Sequence, residues 1–289
     1  MQTQPSNNLQ PTLPAMRLLL YAASLLVLAV GIPLYLLSEH TDVYFAYTVN
    51  PPLGAAFFGA AYWSSFVLEF LSARERLWAN ARSAVPAVFA FTGLILLISL
   101  VHLDRFHLTA PQFVTWFGTW VWFAVYAIVP VIMAVLLVRQ SRARGESPPR
   151  VFPLPQWVRI GVGVAATLLI GLGVVFLVAP GIEPLLWPWP MMALGARIIG
   201  AWLIGLGLSS AAVTRENDLM RVRPVIYSTI VFSLLEFIAL ARYPDQVNWG
   251  GLSIWLYILI LTAFLVAGLA SAILIRRAAP LPSAQPSLR

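Results

Sequence analysis

Residues 113–144 read FVTWFGTWVWFAVYAIVPVIMAVLLVRQSRAR, and this stretch decides the fold class. From Phe113 to Val138 there is no charged side chain, and then Arg139, Arg142 and Arg144 follow within six positions. A helix rises about 1.5 Å per residue, so the uncharged run outreaches the roughly 30 Å hydrocarbon core of a bilayer. An apolar run ending abruptly in arginines is the pattern of a transmembrane helix leaving the membrane on its positive side.

Seven further runs of this kind flank it. Spans are expected near Leu18–Leu37, Leu53–Leu71, Val85–Leu103, Phe113–Val138, Ile160–Val178, Met191–Val213, Val225–Ala241 and Leu252–Ile275. The runs are too long, and alternate too little, for strands of a membrane barrel. Val225–Ala241 is the weakest, being short and carrying Glu236. The first run is read as a retained span rather than a cleaved signal, since no basic residue precedes Arg17 and no small-residue cleavage site follows before Glu39. The expected fold is therefore all-α: a polytopic membrane protein with eight transmembrane helices.

Composition agrees. The 289 residues are 60% hydrophobic and 10% charged, with a mean hydropathy of +0.83, whereas soluble domains carry roughly a quarter charged residues. A water-soluble enzyme and a disordered chain are excluded. The basic residues, 18 in number, are all arginine, and with 11 acids they leave a formal charge of +7. Because they stand in short loops between apolar runs, they speak for topology and not for nucleic-acid binding. With no cysteine, disulfides, thiolate metal sites and thiol redox chemistry are excluded.

Arginines 17, 74, 76, 82, 139, 142, 144, 150, 159, 215, 221, 223, 276, 277 and 289 fall on one side, leaving Arg105, Arg197 and Arg242 for the other. By the positive-inside rule both termini are expected in the cytoplasm, in a prokaryotic plasma membrane. Acids gather on the arginine-poor side (Glu39, Asp42, Asp104, Glu183, Asp245). Trp187, Trp189 and Trp249 are expected at that boundary, and Trp78 and Trp157 at the arginine-rich one. Pro33 and Pro130 are candidate kinks.

Sliding the chain by 141 positions brings Leu53-Gly54-Ala55 onto Leu194-Gly195-Ala196 and Gly59-Ala60 onto Gly200-Ala201. It also brings Arg74-Glu75 onto Arg215-Glu216, Arg82 onto Arg223 and Asp104 onto Asp245. Arg17 meets Arg159 with a one-residue adjustment. Charges falling in register predict an internal duplication. Four helices per repeat keep the same orientation, so the repeats are expected to be parallel, at 16–140 and 157–277. The expected remainder is a cytoplasmic linker at 141–156 and disordered tails at 1–15 and 278–289. Whether each repeat is a compact bundle or the two interleave is left open. Ala55 and Gly59, like Ala196 and Gly200, form small-residue faces that serve either packing within the chain or a homodimer or partner contact.

Two constellations carry possible chemistry. Arg197 and Glu236 are each about 9 Å inside the arginine-poor boundary on consecutive helices, so an intramembrane ion pair is expected, either structural or as an anion- and proton-binding pair. Glu69 is read as locally paired to an arginine such as Arg74. His102, Asp104 and His107, at the exit of the third span, are candidates for acid–base work, and His40, His102 and His107 for metal binding. The five-residue spacing of His102 and His107 suits no helical metal pair. No histidine lies mid-span to ligate haem, and no cofactor is expected. No nucleotide-binding or hydrolase motif is present. Three functions follow: a small-solute or ion carrier, a non-catalytic membrane subunit or assembly partner, or a membrane-embedded enzyme using the histidine cluster.

Overall fold

The computed structural model describes residues 8–278. Its long helices are α1 (Pro14–Gly31, prolonged by a π-helical turn Ile32–Leu36), α2 (Pro52–Arg74), α3 (Val85–Val101) and α4 (Phe113–Ser141). After the 141–156 segment come α5 (Gln156–Val178), α6 (Ala193–Glu216), α7 (Arg223–Arg242) and α8 (Leu252–Ala278). All but α3 are long and apolar enough to cross a bilayer, and α3 is a shorter apolar helix. The protein is all-α and polytopic, and the expected runs and the helices agree within a few residues.

Local chemistry sets the boundaries. Proline occupies the first turn of α1, α2, α3 and α7, where its missing N–H has no partner to lose. Arginine stands in the last turn of α2, α4, α6, α7 and α8, facing the negative end of the helix dipole. Pro33 falls in the π-turn that ends α1, where the backbone register shifts. Pro130 lies inside α4 without ending it.

Helix partners follow chain order only within pairs. α1 packs on α2 as α5 packs on α6, and α3 packs on α4 as α7 on α8. The central contacts cross between the halves, α2 on α7 and α3 on α6. Burial follows this plan, with 72% of the apolar window of α2 enclosed against 17% for α5. The centre is therefore α2, α3, α6 and α7, and the other four helices stand outside them.

Glycine makes the closest approaches. A Cβ on Gly59 would lie 2.6 Å from the Tyr35 backbone nitrogen, and one on Gly200 would lie 2.7 Å from the Gly173 carbonyl oxygen. Ala55 and Ala196 are fully buried beside them. These small-residue faces are covered by the chain's own α1 and α5, so of the two uses expected for them the structure shows packing within the chain. Trp187 and Trp189 are also buried, Trp187 edge-on to both Trp189 and Phe57 and Trp189 tilted against Phe57, so the two rings do not face lipid headgroups. Their apolar rings have more to gain from the aromatic core than from headgroups.

The expectation of disorder through residue 15 fails for Asn8–Leu13. Gln10 N bonds Glu146 O (3.0 Å), Thr12 N bonds Arg76 O (2.8 Å) and Trp78 N bonds Gln10 O (3.1 Å). The fully buried Gln140 accepts from Leu13 N and donates to Pro11 O, both at 2.9 Å. Polar composition suggested disorder, but these residues find backbone partners in the loops. The first seven residues and the tail from 279 lie outside the described residues.

Candidate binding cavity and buried polar groups

Between the central helices, in the arginine-rich half, lies a cavity of about 230 Å³. Its walls include Ser64, Leu68 and Glu69 of α2, Val88 and Phe91 of α3, Leu206 and Ser210 of α6, and Thr229 and Phe232 of α7. Residues of α1, α4, α5 and α8 close the sides. Positions 141 apart recur on these walls: Phe91 and Phe232, Val88 and Thr229, Leu68 and Ser209, and Glu69 and Ser210. Toward the arginine-poor end the walls become aromatic, with Phe91 and Trp202 at a centroid distance of 4.0 Å and Phe57 and Phe232 at 5.9 Å.

Among the described residues Glu69 is the one charged side chain on these walls. It is 3% exposed, and its Oε2 is buried without a hydrogen-bond partner. The expected local partner is absent, because Arg74 is exposed and its guanidinium lies 5.9 Å over the Phe70 ring. The five-position step between them turns the chain through about 1.4 helical turns, so the two side chains leave different faces. Glu69 points inward and Arg74 outward. Leaving a carboxylate alone in a low-dielectric site costs several kcal/mol, so a proton or a cationic ligand must share the position. Two helical turns deeper, on the same face, the Tyr62 and Tyr126 hydroxyls meet at 2.6 Å.

Arg197 and Glu236 do not meet. Arg197 donates Nε to the Leu177 carbonyl (3.1 Å) and Nη1 to His102 Nε2 (2.6 Å). Glu236 is fully buried, accepts from Tyr257 Oη on Oε2 (2.7 Å), and keeps Oε1 without a partner. The expected pair assumed that consecutive helices are neighbours. Here α6 lies against α5 and α3 while α7 lies against α2 and α8, so equal depth does not bring the two groups together. Neither residue lines the cavity.

The histidines are dispersed as well. His102 uses Nε2 as an acceptor toward Arg197, which leaves its proton on Nδ1. Asp104 pairs with its exposed neighbour Arg105 at 3.1 Å. His107 is held between the Phe45 carbonyl (3.0 Å) and Thr48 Oγ1 (3.1 Å), and His40 is exposed. Among the described residues no group of three histidine, aspartate or glutamate side chains is placed to hold a metal. The sequence cluster is undone because each member leaves the end of α3 in a different direction.

The cavity's arginine-rich end is tied by two ion pairs between the halves. Arg82 reaches Glu216 (2.6 Å), which also receives Arg221 (3.2 Å), and Arg223 reaches Glu75 (2.6 Å). Glu69 takes part in none of the ion pairs among the described residues. What singles it out in the sequence is only its place two turns after Tyr62, in a run with no other charge before Arg74.

No family model matches the chain, and neither a curated protein nor a solved structure matches it significantly.

Proposed function

We propose that the chain is a carrier of a small solute across the membrane, linked to protons through Glu69. The observation that carries this reading is the unpartnered, buried Glu69 carboxyl on the wall of a cavity between the two halves. Carriers built from repeats hold their solute between those repeats. The duplication of 16–140 and 157–277 is part of the proposal. Its support is the matched helix partners, the cavity positions 141 apart, and the reciprocal pairs Arg82–Glu216 and Arg223–Glu75. Glu69 replaces the Arg197–Glu236 pair as the ligand- and proton-binding group, since its mate Ser210 leaves one carboxyl per cavity. Arg197 with His102 then holds α6, α5 and α3 together. The termini are assigned to the cytoplasm on the arginine distribution.

The test uses the full chain in lipid vesicles. Dicyclohexylcarbodiimide, which modifies protonated carboxyls in apolar surroundings, should label Glu69 and spare the enclosed Glu236, as read by peptide mass. Concentration jumps of alkylammonium ions on a solid-supported membrane should give currents that Glu69→Gln abolishes. Labelling without any current would reduce the protein to a binding subunit. That second reading has its own support in Phe113, Trp116, Phe117 and Trp120, an exposed aromatic face of α4.

A further inference from the structure

We infer that the ligand of this cavity is an amphiphile with a protonated-amine head and a single alkyl tail, taken up sideways from the bilayer between α5 and α8. The inference rests on the reading of Glu69 as the ligand-binding carboxyl.

The wall chemistry selects the head. Glu69 offers a carboxylate with a free oxygen, no cationic side chain among the described residues lines the cavity, and the other polar groups on the walls are hydroxyls such as Ser65, Ser209 and Ser210. An ammonium group supplies the missing positive charge and has N–H groups left for the hydroxyls, whereas an anion would be repelled. The remaining walls are apolar and select a hydrocarbon tail. At about 230 Å³ the space is smaller than the roughly 300–1,000 Å³ of pockets that enclose a whole drug-sized ligand. It holds the head and the first part of a tail.

The two halves differ where the tail must go. In the first half Met16 and Leu20 of α1 are fully buried and pack with Met133 and Leu136 of α4. With the one-residue adjustment that brings Arg17 onto Arg159, their counterparts on α5 are Val158 and Val162. Both are smaller, partly exposed, and on the cavity wall. On the same walls α8 presents Ala267 and Ser271. α5 packs chiefly on α6 and α8 on α7. One side is thus filled by two long side chains, and the other is walled by short ones that face both cavity and lipid.

The experiment is calorimetric titration of the full chain in phosphatidylcholine nanodiscs, with empty nanodiscs subtracted. The probes are dodecylamine, dodecanol and dodecanoate. Saturable binding of dodecylamine is expected, at least tenfold tighter than dodecanol, with none for dodecanoate. Glu69→Gln should bring the amine down to the alcohol. Val162→Trp should weaken the amine at least tenfold, while Val164→Trp, on the lipid face of α5, should leave it unchanged. Equal binding of dodecanoate, or an amine affinity indifferent to Glu69→Gln, overturns the ligand class. Wild-type affinity in a monodisperse Val162→Trp variant overturns the route. Carbodiimide labelling of Glu69 separates the two readings: if it persists while amine selectivity fails, only this inference falls, and if Glu69 is not labelled, both fall.

Discussion

The guanidinium of Arg82 grips the carboxylate of Glu216 with both prongs, Nε to Oε1 at 2.6 Å and Nη2 to Oε2 at 2.7 Å. The contact joins residues 134 positions apart, one in the loop before α3 and the other at the end of α6. The exchanged pair, Arg223 with Glu75, forms at the same distance. A single ion pair between helices would be unremarkable, but two that exchange under one shift of the chain tie each half to the other.

The two pairs should differ in strength. Glu216 is 3% exposed and shared by Arg82 and Arg221, whereas Arg223 is 40% exposed. Removing one partner of a buried pair costs about 3–5 kcal/mol, and of a surface pair at most about 1 kcal/mol. Glu216→Gln is thus expected to lower the thermal midpoint of the detergent-solubilised protein markedly, and Glu75→Gln only slightly. Equal shifts would mean that Glu216 is better solvated than its burial implies.

Arg197 should couple to His102 and not to Glu236. Double-mutant cycles on thermal stability are expected to give additive effects for Arg197→Ala with Glu236→Gln, within about 0.5 kcal/mol, as holds for groups that share no partner. Arg197→Ala with His102→Ala should be non-additive by more than that. A coupling between Arg197 and Glu236 as large as that between Arg197 and His102 would restore the intramembrane pair.

Gly59 and Gly200 should tolerate nothing larger. A single added Cβ already falls within 2.7 Å of neighbouring backbone atoms at each site, so neither helix pair can yield by moving a side chain. Gly59→Ala and Gly200→Ala are each expected to cost about 1–3 kcal/mol, the usual penalty of overpacking. Gly93→Ala, where a Cβ meets nothing within 4 Å, should be neutral or mildly stabilising in the same assay.

These contacts explain why the sequence disclosed the helices and hid the site. Each span announces itself through a run of apolar residues closed by arginine, because the bilayer imposes length and charge on every helix separately. Which helices touch depends on packing: small residues such as Gly59 and Gly200 seat α1 and α5 on their own halves, while the central contacts, α2 on α7 and α3 on α6, cross between the halves. The Arg197–Glu236 expectation failed on neighbourhood, not on depth. Glu69 was passed over for a related reason. An acid five positions before an arginine reads as a local pair in one dimension, yet the helix turns the two side chains to different faces.

Gln140 supports a last expectation, on the docked N-terminal segment. Its side chain is fully buried at the end of α4, with Oε1 accepting from Leu13 N and Nε2 donating to Pro11 O. Its backbone carbonyl receives Gln10 Nε2 at 3.1 Å. One side chain thus satisfies a donor and an acceptor in a segment with no helix of its own. Gln140→Leu keeps the size but leaves both groups without partners, at about 1–3 kcal/mol each. Where that loss falls on local opening, amide exchange at Gln10 and Thr12 should speed up by roughly tenfold or more, since about 1.4 kcal/mol corresponds to a factor of ten. Amides in the middle of α2 and α7 should keep their protection, because they open only with the bundle. Exchange unchanged at Gln10 and Thr12 would mean that the backbone bonds to Glu146 and Arg76 hold the segment by themselves.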